Sequence, residues 1–254
     1  MPLIHAHLLP TLLEETPLTD ATCVVIDILR ASTTMVHALA NGAETVIPCL
    51  TVEDAQTVAA QLPAGSCLLG GERHGQLIPG FDLDNSPFGY SPEVVSGKTV
   101  IFTTTNGTRA LWECRSAKEI VIGAFANFTS VIHHLQRAGN PVHLICAGTN
   151  GKMTAEDILF AGAVAHHLLN IPSSAPDSHW ELGNLQAELV RDYFAANSAT
   201  PEAFQQAFYR SQGARNLRAL GMDRDVVRSM EYDLFDLVPV WDGVQQRLTA
   251  SRPK

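Results

Sequence analysis

The stretch VIDILRASTTMVHALANGAETVI, inside residues 23–50, aligns without a gap on VIFTTTNGTRALWECRSAKEIVI, inside residues 99–125. Val25, Ile26, Thr33, Glu44, Val46 and Ile47 fall on Val100, Ile101, Thr108, Glu119, Val121 and Ile122. Each copy reads as a short apolar strand, a polar turn, a helix of about three turns and a second apolar strand, which is a βαβ unit. One residue further along the shift, Leu68 and Leu69 meet Leu144 and Ile145, so each copy extends to a third strand. The identities are few, and generic α/β patterning is the competing explanation of the match. The expectation is an α/β fold, a three-layer α/β/α arrangement on a mainly parallel sheet, with two similar βαβαβ halves at 21–72 and 98–148. The chain then divides into 1–97, carrying a long functional loop at 70–93, and 98–254, carrying the C-terminal helices.

A chain of 254 residues with 46% hydrophobic and 17% charged residues can bury a substantial core and is not a disordered one. The longest apolar runs are strand-sized, so none is expected to span a membrane. The start MPLIHAHLLP lacks the basic lead and apolar core of a signal peptide, which makes the cytoplasm the default location. The five cysteines have no CxxC spacing and sit in or beside apolar runs, where they read as reduced, buried small residues. A net charge of −9 argues against a nucleic-acid partner. An anionic ligand then needs a metal or local arginines to reverse the field.

Asp27 stands at the carboxyl end of the first strand, with Arg30, Ser32, Thr33 and Thr34 opening the helix after it. Ligands of open α/β sheets sit at such strand ends, and helix N-termini favour anions. The alternative is a capped helix with Asp27 and Arg30 as a structural pair. Asp-x-Leu is not the Asp-x-Asp of a haloacid-dehalogenase nucleophile. Thr51 and Asp54 fit a capping box.

Residues 68–93, LLGGERHGQLIPGFDLDNSPFGYSPE, carry too many glycines and prolines for regular structure, yet hold the anchors Ile78, Phe81 and Phe88. Glu72 follows its strand as Asp27 follows its own, and with Asp82 the two suit a hard divalent cation; a self-solvating charged loop is the other reading. In the second copy, Thr103–Thr105, Asn106, Gly107 and Thr108 replace the acid with neutral donors at a helix start, an anion cradle or simply a tight turn. Glu156 and Asp157 occupy a third strand-turn-helix junction, where Thr154 and Asp157 fit a capping box and a metal role stands beside it. Residues 172–179 read as a linker, and 182–195, 201–220 and 223–230 as helices. The paired histidines 133–134 and 166–167 point different ways on helices and are poor metal candidates.

Taken in order, VIDILRASTT, GGERHG followed by GFDLDNSP, TTTNGT, CAG with a later ED, and DLFDLVPV resemble the 2-phosphosulfolactate phosphatase family over nearly the whole chain. The resemblance implies a magnesium-dependent phosphatase that converts 2-phospho-3-sulfolactate to 3-sulfolactate and phosphate, a step of coenzyme M synthesis. The matched positions are Asp27, Arg30 and Thr33; Gly71, Glu72, Arg73, Gly80, Phe81, Asp82, Asn85, Ser86 and Pro87; Thr104–Thr108; and Glu156 with Asp157. One departure follows Asn-Ser-Pro, where the family has an acid within two residues and this chain has Phe88-Gly89-Tyr90.

On that reading Mg²⁺ is held by Asp27, Glu72 and Glu156 or Asp157, and phosphate by Arg30 and the Thr105, Asn106, Gly107, Thr108 turn, with Thr33 and Asn85 also at the substrate. Arg73 meets the substrate's other anionic groups and Asp82 exchanges the proton. The partner is a small phosphorylated anion, with no nucleic acid or membrane, and a homodimer is the candidate assembly. A phosphatase for another phosphocarboxylate, or a non-catalytic phosphometabolite-binding protein, are the rival readings.

Overall fold

A computed structural model of the chain describes residues 1–13, 17–171 and 179–252. Its strands, in chain order, are β1 (Leu3–His7), β2 (Thr22–Ile26), β3 (Thr45–Pro48), β4 (Cys67–Arg73), β5 (Gln76–Leu77), β6 (Thr99–Thr103), β7 (Glu119–Gly123), β8 (Val142–Cys146), β9 (Glu181–Leu182), β10 (Val238–Asp242) and β11 (Arg247–Ser251). The helices are α1 (Ala31–Ala40), α2 (Val52–Ala60), α3 (Pro92–Val95), α4 (Gly107–Glu113), α5 (Phe128–Ala138), α6 (Ala155–Leu169), α7 (Leu185–Asn197), α8 (Pro201–Tyr209), α9 (Gln212–Ala219) and α10 (Asp223–Arg228). The uninterrupted runs of β2 and β8 are buried at every position, as strands covered on both faces must be. Helices flank one large, mostly parallel sheet, and none among the described residues is long and apolar enough to cross a membrane.

The sheet runs β5-β4-β6-β3-β11-β10-β7-β2-β8-β1-β9. Two parallel blocks, β4-β6-β3 and β7-β2-β8, are joined by the antiparallel β10–β11 hairpin through the single pairs Val240↔Val121 and Leu248↔Val46. Three antiparallel junctions separate β7 from β3, so β2 runs opposite to β3 and β4. This corrects the expectation of two self-contained parallel βαβαβ halves. The stretches interleave instead, β6 lying between β3 and β4, and β2 between β7 and β8. Exchanging β2 with β6, β3 with β7 and β4 with β8 nevertheless leaves the order of these six strands unchanged, read from the opposite edge.

Local signals explain the helix starts. Thr51 and Asp54 form the capping box of α2. At α6 the expected box does not form, because the Thr154 hydroxyl donates to Glu156 and Asp157 turns inward. The expected helix over 201–220 is broken at Ser211, whose hydroxyl accepts the Ala214 amide and starts α9 in a new direction. Of the expected linker, residues 172–178 lie outside the described ones. All five cysteines are free, and four are buried.

Next to the β1–β8 pairing lies an imidazole stack: His143 is 4.6 Å from His5 and 5.2 Å from His7, ring centre to ring centre, with a 3.0 Å hydrogen bond between His7 Nε2 and His143 Nδ1. Burial, then the neighbouring His5 and His7, push His143 down from 6.5 to about 3. The unfolded chain therefore takes up a proton near pH 6.5 that the folded chain refuses until about 3, and stability drains as pH falls through that window. His143→Gln is expected to flatten the fall in urea midpoint between about pH 7 and about pH 5 relative to wild type. Parallel curves for the two proteins would remove His143 as a source of acid lability.

Candidate active site

The two turns that the alignment pairs, after β2 and after β6, meet. Helices α1 and α4 are in contact, and a Cβ added to Gly107 would lie 2.8 Å from Asp27 Oδ2 and 2.7 Å from the Ala31 Cβ. Glycine at 107 thus serves close approach rather than an unusual backbone angle. Around this crossing is a cleft of about 300 Å³ lined by Asp27, Arg30, Glu72, His74, Asn85, Thr105, Asn106, Thr149 and Asn150, with Gly213, Asn216, Leu217 and Leu220 as its helical wall.

Asp27 and Glu72 share the cleft. Asp27 Oδ1 accepts the Ala31 amide at 3.3 Å, while Glu72 Oε1 accepts Thr105 N at 3.0 Å and Oε2 accepts Gly75 N at 2.7 Å. Glu72, the penultimate residue of β4, therefore pins the turn after β6. Burial first, then the Glu72 charge, pushes the Asp27 acid up to about 7. Glu156 and Asp157 lie behind the lining. Each Asp157 oxygen is taken, by Ile28 N and by Gly148 N at 2.9 Å, so this carboxylate ties the β2 turn to the β8 turn. Burial, followed by the charges of Glu156 and Asp27, holds its acid well above the usual range. Glu156 is likewise raised by burial and touches Gly213 of the helical wall.

Among the lining residues Arg30 is the one lysine or arginine. It is buried and paired at 2.5 Å with Asp225 of α10, and it donates to the Gly75 carbonyl at 3.0 Å. Neutral groups supply the rest. Asn106 Oδ1 accepts Asn150 N at 3.2 Å, joining the two Thr-Asn-Gly turns of the chain, 105–107 and 149–151. Asn85 is 3% exposed, and its Oδ1 has no partner among the described residues. No group of three or more His, Cys, Asp or Glu among the described residues forms a ready-made metal cage. The donor set still fits a hard cation: two carboxylates in mutual repulsion, and a buried amide oxygen lacking any donor among the described residues.

Other expected site residues stand elsewhere. Arg73 spends its guanidinium on the Glu72 carbonyl, the Thr103 hydroxyl and the Leu50 carbonyl, outside the cleft lining. Asp82 is exposed and accepts Leu69 N at 2.8 Å, pinning the loop to β4. The Thr33 and Thr108 hydroxyls donate to the carbonyls of Ile28 and Thr104 and are buried. Asn150, Asp225 and the α9 wall were not anticipated. The recurrence of Thr-Asn-Gly is the signal that could have found Asn150. Nothing in the sequence marks Asp225, which reads as an ordinary first-turn acid.

Clustered carboxylates, one arginine and neutral amides in a cleft beyond the strand ends suit a small anionic ligand. The family model for 2-phosphosulpholactate phosphatase matches residues 7–243, and the chain belongs to that family. Similar proteins include a probable 2-phosphosulfolactate phosphatase from Caldanaerobacter subterraneus subsp. tengcongensis, 38% identical over 222 residues, covering 87% of this chain and 88% of the relative. One from Thermotoga petrophila is 40% identical over 223 residues, covering 88% and 90%. A third, from Caldicellulosiruptor saccharolyticus, is 45% identical over 150 residues, covering 57% and 61%. The chain is a phosphoric monoester hydrolase.

Proposed function

We propose that the protein hydrolyses 2-phospho-3-sulfolactate to 3-sulfolactate and phosphate with the help of Mg²⁺. The substrate is the one carried in the names of its relatives. The observation that carries the metal is that Asp27 and Glu72 line one cleft, near enough for the Glu72 charge to raise the Asp27 acid, together with Asn85, whose Oδ1 has no partner among the described residues. A polyanion entering this cleft meets two carboxylates and an arginine already neutralised by Asp225, so the field opposes it unless a cation intervenes.

Asp27, Glu72 and Asn85 would hold the ion, with Glu156 behind them. Bound there, it would supply charge neutralisation on the ester oxygens and a more acidic water. Arg30 directs its remaining N–H groups at the phosphoryl oxygens, while the Asn106 amide adds a neutral donor. Without a cation, burial and the Glu72 charge raise the Asp27 acid to about 7, and a bound cation would offset both and favour the carboxylate. Mixing the enzyme with the substrate, with and without a chelator, and following phosphate release tests the proposal. Release that is indifferent to chelation and Mg²⁺ overturns the metal, and failure on this ester with turnover of another phosphocarboxylate overturns the substrate.

Asn106→Ala is expected to raise the inhibition constant of inorganic phosphate about tenfold, by loss of one donor to a charged oxygen. Thr51→Val, a cap on the distant α2, should leave that constant unchanged. Equal inhibition of both variants makes the Asn106 turn architecture only.

A further inference from the structure

Arg30 does not reach the cleft as a free side chain. Nη1 is paired with Asp225 Oδ2 at 2.5 Å and lies 3.1 Å from the Met222 sulfur, while one Nη2 hydrogen goes to the Gly75 carbonyl. Nε–H and the second Nη2–H have no protein partner among the described residues, and neither nitrogen is both buried and unsatisfied. A guanidinium clamped from two sides presents its remaining fork in one direction. Asp225 is 1% exposed, and its other oxygen accepts the Ser86 hydroxyl at 2.9 Å, next to the cleft residue Asn85. One carboxylate on α10 therefore joins three parts of the cleft: the arginine after β2, the 85–86 loop, and the α9 wall that precedes α10.

We infer that Asp225 is a positioning residue for the phosphatase reaction, holding Arg30 in the orientation that receives the phosphoryl group and fastening the C-terminal wall over it. The inference rests on the reading of Arg30 as the anion-binding group. A buried pair of this kind adds little net stability, since burying both charges costs nearly what their attraction returns. Removing the charge frees a buried cation to rotate, while an asparagine oxygen at 225 can still accept the Ser86 hydroxyl.

The test is a double-mutant cycle of Asp225→Asn and Arg30→Gln in the full chain, with kcat, KM and the inhibition constant of inorganic phosphate measured alongside melting temperature. Asp225→Asn is expected to lower kcat/KM about ten- to a hundredfold, the range for a residue that orients an active-site group, and to weaken phosphate inhibition in parallel. In the Arg30→Gln background the same change should alter kcat/KM less than about twofold, because there is no guanidinium left to orient. Asp225→Glu, which keeps the charge, should recover part of the loss. Multiplicative losses in the two backgrounds, or a lowered melting temperature with unchanged kinetics, would overturn the positioning role and leave Asp225 a structural latch. Wild-type kinetics in Arg30→Gln alone would overturn the reading of the cleft itself, and the positioning role with it.

Discussion

Asp27→Asn is expected to give a folded, more heat-stable protein whose turnover falls by about three orders of magnitude, equivalent to roughly 4 kcal/mol of barrier. The loss follows from removing charge at the one carboxylate that faces both Glu72 and the cleft. The gain follows from linkage. Folding raises this acid from 3.8 to about 7, so the folded state holds a proton that the unfolded state has released, and the penalty grows as pH rises through that interval. Above neutrality the cost is fully present, on the order of a few kcal/mol, and an amide avoids it. The excess melting temperature of the variant should therefore be larger at about pH 8 than at about pH 5. Glu72→Gln should behave differently. Both Glu72 oxygens accept backbone amides, so an amide nitrogen there faces another donor, and stability falls along with activity. Calorimetric titration with Mg²⁺ gives an independent readout, and affinity unchanged in both variants would falsify the metal assignment. Wild-type turnover in Asp27→Asn removes this residue from the chemistry altogether.

Gly71→Ala is expected to be among the most damaging single changes in the chain. The residue has φ +138°, and a Cβ there would lie 1.9 Å from the Thr103 carbonyl oxygen, a backbone atom of the paired strand β6. No rotamer relieves that contact. The strands must part at the Gly71↔Thr103 pair, immediately before Glu72 and immediately before the turn that Glu72 pins. Destabilisation upwards of about 4 kcal/mol is expected, with loss of activity even at temperatures where the variant stays folded. Gly80→Ala is the control, with φ +83° but open space around it, and should cost only about 1–2 kcal/mol for the backbone. Chemical denaturation of the two variants checks the comparison. Similar midpoints would mean that β4 and β6 can yield locally.

Asp27 and Glu72 were legible because an acid ending an apolar strand-length run is anomalous, and the sheet does bring both to one cleft. The pairing of the two first turns was legible from the alignment, and Gly107 lies against Asp27 as that pairing requires. Strand direction was not legible, since alternation and run length report which face of a strand is buried and say nothing of its neighbour. Arg73, the last residue of β4, and Asp82, in the loop beyond it, lie outside the cleft lining, because groups of neighbouring backbone take up most of their hydrogen bonds, which residue type alone does not report. Asp225 and the α9 wall stayed hidden for a related reason. Their place depends on the break at Ser211, which a helical pattern runs straight across.

The interleaved sheet also has a consequence for how the chain is born. β2 leaves the ribosome with neither of its neighbours yet made, for β7 and β8 are encoded far downstream, and β3 and β4 must wait for β6 to pass between them. The β4-β6-β3 block is complete once Thr103 is made, the β7-β2-β8 block only with Cys146, and the hairpin that joins the two follows later in the chain. Assembly of the whole sheet is thus governed by long loop closures. Until β7 and β8 are made, the apolar β2 has open edges, so a fragment that ends before Cys146 exposes a strand open to aggregation.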